Sequence, residues 1–436
     1  MSIVKNPLNR RRLVQASAGV LAGSLVAPSL VGARSRRYHP AMLQTNPVSG
    51  KVLMWVYPLI PGGEEKNEEI WADIVSQFTA DNPDAEVKVE VLPWAQRNEK
   101  LTTALAAKSG PDVGYLNDDF IPQHGGEGNL QALDDVLGDD KADFTENSLG
   151  AMSVEGTLYA LPILGSVTTA IYNQKLFDEV GIDTLPTTWD ELLELGPAFK
   201  DAGYYVTGYN GSLEETLNLS YYPLLWQAGG EVLNEEQTAA AFNDDAGIAA
   251  LDFIKTLYDE EFINQDEAVT PAVPGAGAVV EGKVAVVITG DSVSISSMEE
   301  KLGEGTVTIG APFKNVNQVS YGTSAGFGVF KDAKDPDAAK AWVKYITSSE
   351  PMKEILLASG FIAPRLSLTG IHADDPVLGS LEGYIDLMHG SVRHTQSRAI
   401  NAAMAPYVQA AFLGESSVED ALAEAEDEVN RLIERG

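Results

Sequence analysis

Gly322-Thr323-Ser324-Ala325-Gly326 has the G-x-S-x-G spacing of a nucleophile elbow, and His372, Asp374, Asp375, His389 and His394 follow it as possible base and acid partners. An elbow must end a strand and turn at once into a helix, which lifts the serine hydroxyl clear of the sheet. Here Phe327-Gly328-Val329-Phe330 continues as a strand, and the next helix starts only at Asp335-Pro336. A serine hydrolase using Ser324 is therefore the alternative reading; Ser324 reads better as a small loop residue beside a cleft. None of the five histidines stands in an H-x-x-x-H or H-E-x-x-H pair. There is no cysteine, which removes thiol catalysis and cysteine metal sites together. The acidic group Asp134, Asp135, Asp139 and Asp140 lacks EF-hand spacing and reads as a solvated face. With no phosphate loop or dinucleotide glycine pattern, neither a cofactor nor a metal is expected. Arg365 and Arg393 could hold a carboxylate or phosphate, although in so acidic a chain a structural ion pair competes with that role.

The elements that would position such residues begin at Lys51, where short apolar runs alternate with helical periods in the manner of sheets covered by helices. Val52 to Tyr57 predicts a buried strand, and Ile70, Trp71, Ile74, Val75 and Phe78 recur on one helical face. Glu86 to Leu92 alternates as a half-exposed strand, a helix spans Leu101 to Lys108, and Pro111-Asp112-Val113 opens another strand. Thr188 with Glu191, and Ser212 with Glu215, have capping-box spacing at two helix starts. Later helices are expected from Asp335-Pro336 and near 245–258, 351–358, 399–412 and 418–435. Ligands of open α/β sheets sit beyond the carboxyl ends of strands, which selects Tyr57, then Asn117, Asp118 and Asp119, then Gly290, Asp291 and Ser292. Trp55 and Trp71 read as core, whereas Trp226 is balanced between core and cleft.

At 436 residues and 44% hydrophobic, the chain needs at least two domains. Its formal charge of -33 repels phosphate backbones and anionic membrane surfaces, so nucleic acid is excluded as a partner. No Asp or Glu precedes Glu64, while Lys5, Arg10, Arg11 and Arg12 cluster before an uncharged stretch from Leu13 to Ala33. That order resembles a twin-arginine export signal at 1–33, cleaved after Ala33, followed by a flexible leader at 34–47. The product would be exported, periplasmic or extracellular at the cell surface; with no cysteine it is not a lipoprotein.

The run from Gly156 to Gly181, GTLYALPILGSVTTAIYNQKLFDEVG, resembles the extracellular solute-binding proteins of sugar importers, family 1, the broad family that includes maltose-binding proteins. Further matches fall in family order at 109–119, 226–233, 281–291, 331–356 and 358–368, across most of the mature chain. The resemblance implies an α/β fold of type II, a two-lobed periplasmic-binding-protein-like architecture whose lobes are joined by crossing hinge segments. On that pattern the crossings lie at 162–168, 310–313 and 363–366, giving one lobe of 48–163 and 314–364 and another of 164–313 and 365–436. The implied function is a monomeric receptor of an ABC-type importer that closes on a carbohydrate-like ligand and hands it to a membrane permease. A non-transport surface binding protein is the other alternative. By position in the family pattern, Asn117 to Asp119 match a sugar-bonding loop, Ser166 a polar crossing residue, and Tyr221, Tyr222 and Trp226 an aromatic segment. The expected site is thus Tyr57, Asn117, Asp118, Asp119, Ser166, Tyr221, Tyr222, Trp226, Asp291, Ser324 and Arg365. Ser292 stands where the family often has an aromatic, which argues against a long maltodextrin-like ligand.

Overall fold

The computed structural model describes residues 47–60, 64–273, 276–303 and 305–435; the expected export signal and all but Pro47 of the leader lie outside them. Strand β1 (Gly50–Val56) buries Val52, Met54 and Val56 on one face and Trp55 on the other, and pairs in parallel with β2 (Ala85–Val91) and β3 (Val113–Asn117). β2 is the edge, and its Lys88 and Glu90 form a pair on the open side, the charge pattern that discourages further strand addition. Helix α1 (Glu64–Asp81) buries Trp71, Ile74 and Phe78 against this sheet, the face anticipated from their spacing. Helix α2 (Arg97–Ala106) starts earlier than its apolar period suggested, because Arg97, Asn98 and Glu99 form a first turn that carries no apolar side chain. The short helix α3 (Phe120–Gly126) follows β3 directly.

Strand β4 (Ala160–Val167) closes this first sheet by pairing antiparallel with a later strand, and passes through Thr168 into β5 (Thr169–Asn173) of a second sheet. The second sheet runs in the order β8-β5-β7-β6, from β6 (Tyr205–Thr207), β7 (Val284–Gly290) and β8 (Val307–Gly310). β9 (Ser320–Val329) then returns to the first sheet, between β3 and β4. Of the helices on the second sheet, α4 (Trp189–Asp201) opens with a complete capping box between Thr188 and Glu191. The expected start at Ser212 does not form: Glu215 turns its carboxylate to the Thr216 amide, and only a one-turn helix follows at Leu217–Leu219. A helix α5 (Tyr222–Gln227) begins afterwards, then α6 (Asp245–Asp259) and α7 (Ser292–Leu302). Helices α8 (Pro336–Ile346) and α9 (Ser349–Ser359) cover the first sheet.

Two large hydrophobic cores form among the described residues, one around β1, β3, β4 and β9, the other around β5 to β7, with a smaller third cluster of Val167, Ile171, Ile295, Met298, Val307, Ile362 and Leu381. The second is completed by α10 (Ser397–Phe412) and α11 (Val418–Arg435), which bury Ile400, Met404, Val408, Phe412, Leu422 and Val429 in it. Arg365 and Leu368 pack with the first core, Arg365 through an ion pair to Asp143, whereas Val392 packs against the second core and Ile400 is buried in it. Between them a strap runs across both lobes and pairs β10 (Met388–His389) in parallel with Ser320 and Tyr321 of β9. Gly322 permits that approach, since a Cβ there would stand 1.7 Å from Met388 Cγ. No helix among the described residues is long and apolar enough to cross a membrane.

Candidate functional site

A cavity of about 550 Å³ opens where the two lobes and the strap meet. The first lobe contributes Asp118 and Asn147, the second contributes Trp226 and Glu231, β9 contributes Gly322 and Ser324, and the strap contributes His389, Ser391 and Arg393. Asp118 stands just past the carboxyl end of β3, with its own amide bonded to the Ser324 carbonyl at 3.1 Å. Its carboxylate accepts from the hydroxyls of Thr323 and Ser391, each at 2.8 Å, and from the Ser391 amide at 3.3 Å. Burial, and then the neighbouring Asp119, push Asp118 up to about 6, against the pull of the two hydroxyls. The group is therefore held in place before any ligand arrives and can act as acceptor or, when protonated, as donor.

Trp226 is 2% exposed, and its indole lies flat against His389 at 4.0 Å and 19°. Its Nε1 is a buried donor with no partner among the described residues, an arrangement that favours an acceptor supplied from the cavity. His389 is held in turn by Glu231 at 3.4 Å. Asn117 Oδ1, at the end of β3, is likewise buried and unpartnered.

Asp119 is spent across the cleft. Its carboxylate takes Nη2 of Arg398, from the first turn of α10, at 2.9 and 3.0 Å, and its carbonyl accepts from Ser397 Oγ at 3.1 Å. Beside this inter-lobe pair is an aromatic group on the first lobe. Tyr57 stacks on Trp94 at 4.8 Å, both meet Tyr115 edge-on, and Phe120 lies 4.2 Å under the Arg398 guanidinium. Arg97 sits over the Trp94 ring at 4.7 Å. Trp94 is 38% exposed and is the one large aromatic of the group that faces solvent.

Of the residues singled out from the sequence, Asp118, Trp226 and Ser324 meet at the cavity; Tyr57, Asn117 and Asp119 lie along the same edge of the first lobe. Ser166 is half-buried on β4, opposite Thr323, and does not line the cavity. Four others are turned elsewhere. Tyr221 and Tyr222 are core residues of the second lobe, their hydroxyls directed to the Gly247 carbonyl and the Met404 sulfur; Tyr222 shares the helical face of Trp226 one turn earlier, and only Trp226 reaches the cavity. Asp291 caps α7, accepting from the Ser294 amide and hydroxyl at 2.9 and 2.8 Å. Arg365 is buried by its pair with Asp143 at 2.8 Å, a bond to the Thr347 carbonyl and contact with Phe144. Ser324 lies inside β9, paired on both sides, so the strand-to-helix elbow of a hydrolase is not formed.

Sequence reasoning left out Arg97, Arg398 and Ser391, and it named the strap residues His389 and Arg393 only as a possible catalytic base and a possible anion holder. The strand-end position that marks Tyr57 also marks Trp94, past β2, as a cleft residue or a loop anchor, and Arg97 lies three positions beyond it. The strap carries no periodicity, and nothing local marks it.

The family model described as bacterial extracellular solute-binding protein matches residues 62–353. A binding protein of Brucella abortus is 26% identical over 302 residues, 68% of this chain and 73% of that protein. The diacetylchitobiose binding protein DasA of Streptomyces coelicolor is 26% identical over 314 residues, 68% of this chain and 70% of its own. In fold, the chain is similar to an ABC transporter solute binding protein from Thermotoga lettingae bound with alpha-D-tagatose (TM-score 0.77, 21% identity, 88% of this chain and 100% of that one). It is also similar to maltose-bound T. maritima MalE3 (TM-score 0.78, 20% identity, 88% and 99%).

Proposed function

The chain belongs to the bacterial extracellular solute-binding protein family, and we propose that it is the receptor of an ABC-type importer, capturing a short carbohydrate between two closing lobes for delivery to a membrane permease. The observation that carries this reading is the composition of the inter-lobe cavity. A sugar offers hydroxyl edges and an apolar C-H face, and the cavity sets a fixed carboxylate, Asp118, from the first lobe against the His389 ring, which Trp226 of the second lobe backs. Neither lobe alone surrounds a ligand, so affinity rests on the closed arrangement, and ligand shifts the population toward it. The segments Thr168, 311–319 and the strap are the proposed hinges. The strap narrows the cleft at Gly322 and Met388, which supports a mono- or disaccharide over a long chain. Export by the twin-arginine route, with the paired Arg10 and Arg11 read by the exporter, belongs to the same proposal.

Thermal-shift titration against mono- and oligosaccharides tests the reading, since a ligand bound only by the folded state raises stability by RT ln(1 + [L]/Kd). At least one carbohydrate should raise Tm in a saturable way and reduce the radius of gyration in solution scattering. A panel without any stabilising sugar overturns the proposal.

A further inference from the structure

The described residues include Arg97, Arg365, Arg393, Arg398, Arg431 and Arg435. Arg365, Arg398 and Arg431 pair with carboxylates, and Arg393 donates to the carbonyls of Gly150 and Ser153. Arg435 is exposed near the end of the chain. Arg97 is different: it is half-buried, and its guanidinium has neither a hydrogen bond nor an ion pair among the described residues. In a chain with 63 acidic side chains against 30 Lys and Arg, a half-buried arginine left without a carboxylate is a cost that packing alone does not require.

The guanidinium is nonetheless held. The rings of Trp94, Phe120 and Tyr57 lie 4.7, 5.7 and 5.9 Å from it, fixing its plane while leaving its fork of N–H donors unused. Burial, and then the neighbouring Arg398, disfavour the charge of Arg97, an effect that Asp119 offsets in part. Arg398 holds Asp119 through Nη2, and its Nε is buried without a partner. Glu215, the acid that faces Arg97 from the second lobe, directs its carboxylate to the Thr216 amide at 3.1 Å instead. Two guanidinium groups with spare donors and one compensating carboxylate thus stand together at Asp119, the residue that follows Asp118 of the cavity. Neutral hydroxyls do not need this surplus of positive charge, whereas an oxyanion matches a guanidinium fork in geometry and charge.

We propose that Arg97 anchors an oxyanion on the ligand, so that the receptor is selective for a polyol bearing a carboxylate or phosphate over its neutral counterpart. The inference rests on the carbohydrate-receptor reading and narrows it. Arg398 holds the compensating carboxylate of Asp119, and Trp94 and Tyr57 pack against the Arg97 guanidinium.

Matched pairs titrated calorimetrically against the purified full chain test it: glucuronate with glucose, galacturonate with galactose, digalacturonate with galactobiose, and glycerol 3-phosphate with glycerol. The acidic member of at least one pair should bind about tenfold or more tighter, and whether uronates or the phosphate lead identifies the anion. Arg97→Gln should erase that preference while changing affinity for the neutral member by less than about threefold, and Arg97→Lys should retain part of it. If Arg97 only packs on Trp94, the substitutions lower Tm and leave the preference unmoved, which overturns the inference. Neutral sugars bound as tightly as their acidic partners by the unaltered protein overturn it too, whatever the variants do, and leave the carbohydrate receptor standing. Silence from every neutral and acidic carbohydrate overturns both readings.

Discussion

Each lobe contains a junction in which a strand ends, an aspartate follows, and a helix begins. In the first lobe it is β3, Asp119 and α3; in the second it is β7, Asp291 and α7. Asp291 has an extended backbone, which turns its carboxylate onto the Ser294 amide. Asp119 has helical dihedrals (φ -75, ψ -15), makes no cap bond, and reaches across to Arg398. A strand-end acid is consumed by its own helix or released to the cleft according to one residue's φ and ψ. The second lobe consequently meets the cavity through an extension of its core, Trp226, and the first through charged groups fixed by hydroxyls and arginines.

That contrast would be broken most severely at Trp226. Trp226→Ala should cost on the order of 3–5 kcal/mol of folding stability, read from denaturant midpoints, together with ligand binding. A loss of binding with unchanged stability would show that Trp226 is a cleft residue independent of the core. Next is the inter-lobe pair. Asp119→Asn leaves Arg398 without its counter-charge, and a loss of about 3 kcal/mol with a larger radius of gyration in the ligand-free protein is expected. An unchanged scattering profile would mean that the pair does not hold the lobes together. Asp291→Ala removes only a helix cap: about 1 kcal/mol of stability, with ligand affinity unaltered in calorimetry.

A pH-dependent effect sharpens the role of Asp118. Its folded carboxyl, raised to about 6, ionises after the unfolded one, so this group lowers stability as pH rises from about 4 to about 6 and keeps it lowered above that. Asp118→Asn should therefore gain relative to the unaltered protein across that window. Unfolding curves for the two proteins at pH 4, 5 and 7 check the sign. A difference independent of pH would show that Asp118 titrates normally.

Periodicity and local chemistry made most of the fold legible. Val52 to Tyr57, the α1 face at Trp71, Ile74 and Phe78, the capping box at Thr188 and the boundaries of α6 and α11 all depend on neighbours within a few positions. The Ser212 signal has the same spacing as Thr188 and no helix behind it, because Glu215 found a nearer donor in the Thr216 amide. Asp118 was reachable as a strand-end acid.

What the chain determines by itself is therefore where its strands end and which polar residues stand there, since both follow from i-to-i+4 contacts and alternating burial. Only the tertiary structure decided which of those residues face the cavity. Arg398 lies 279 positions from Asp119 and Ser391 lies 273 from Asp118, so neither pairing leaves a local mark. Tyr222 was buried by Met404 of α10 while Trp226, one turn further on the same helical face, reached the cavity, and the fate of Asp291 was settled by its backbone dihedrals. These are outcomes of packing between distant segments, which composition and spacing do not encode.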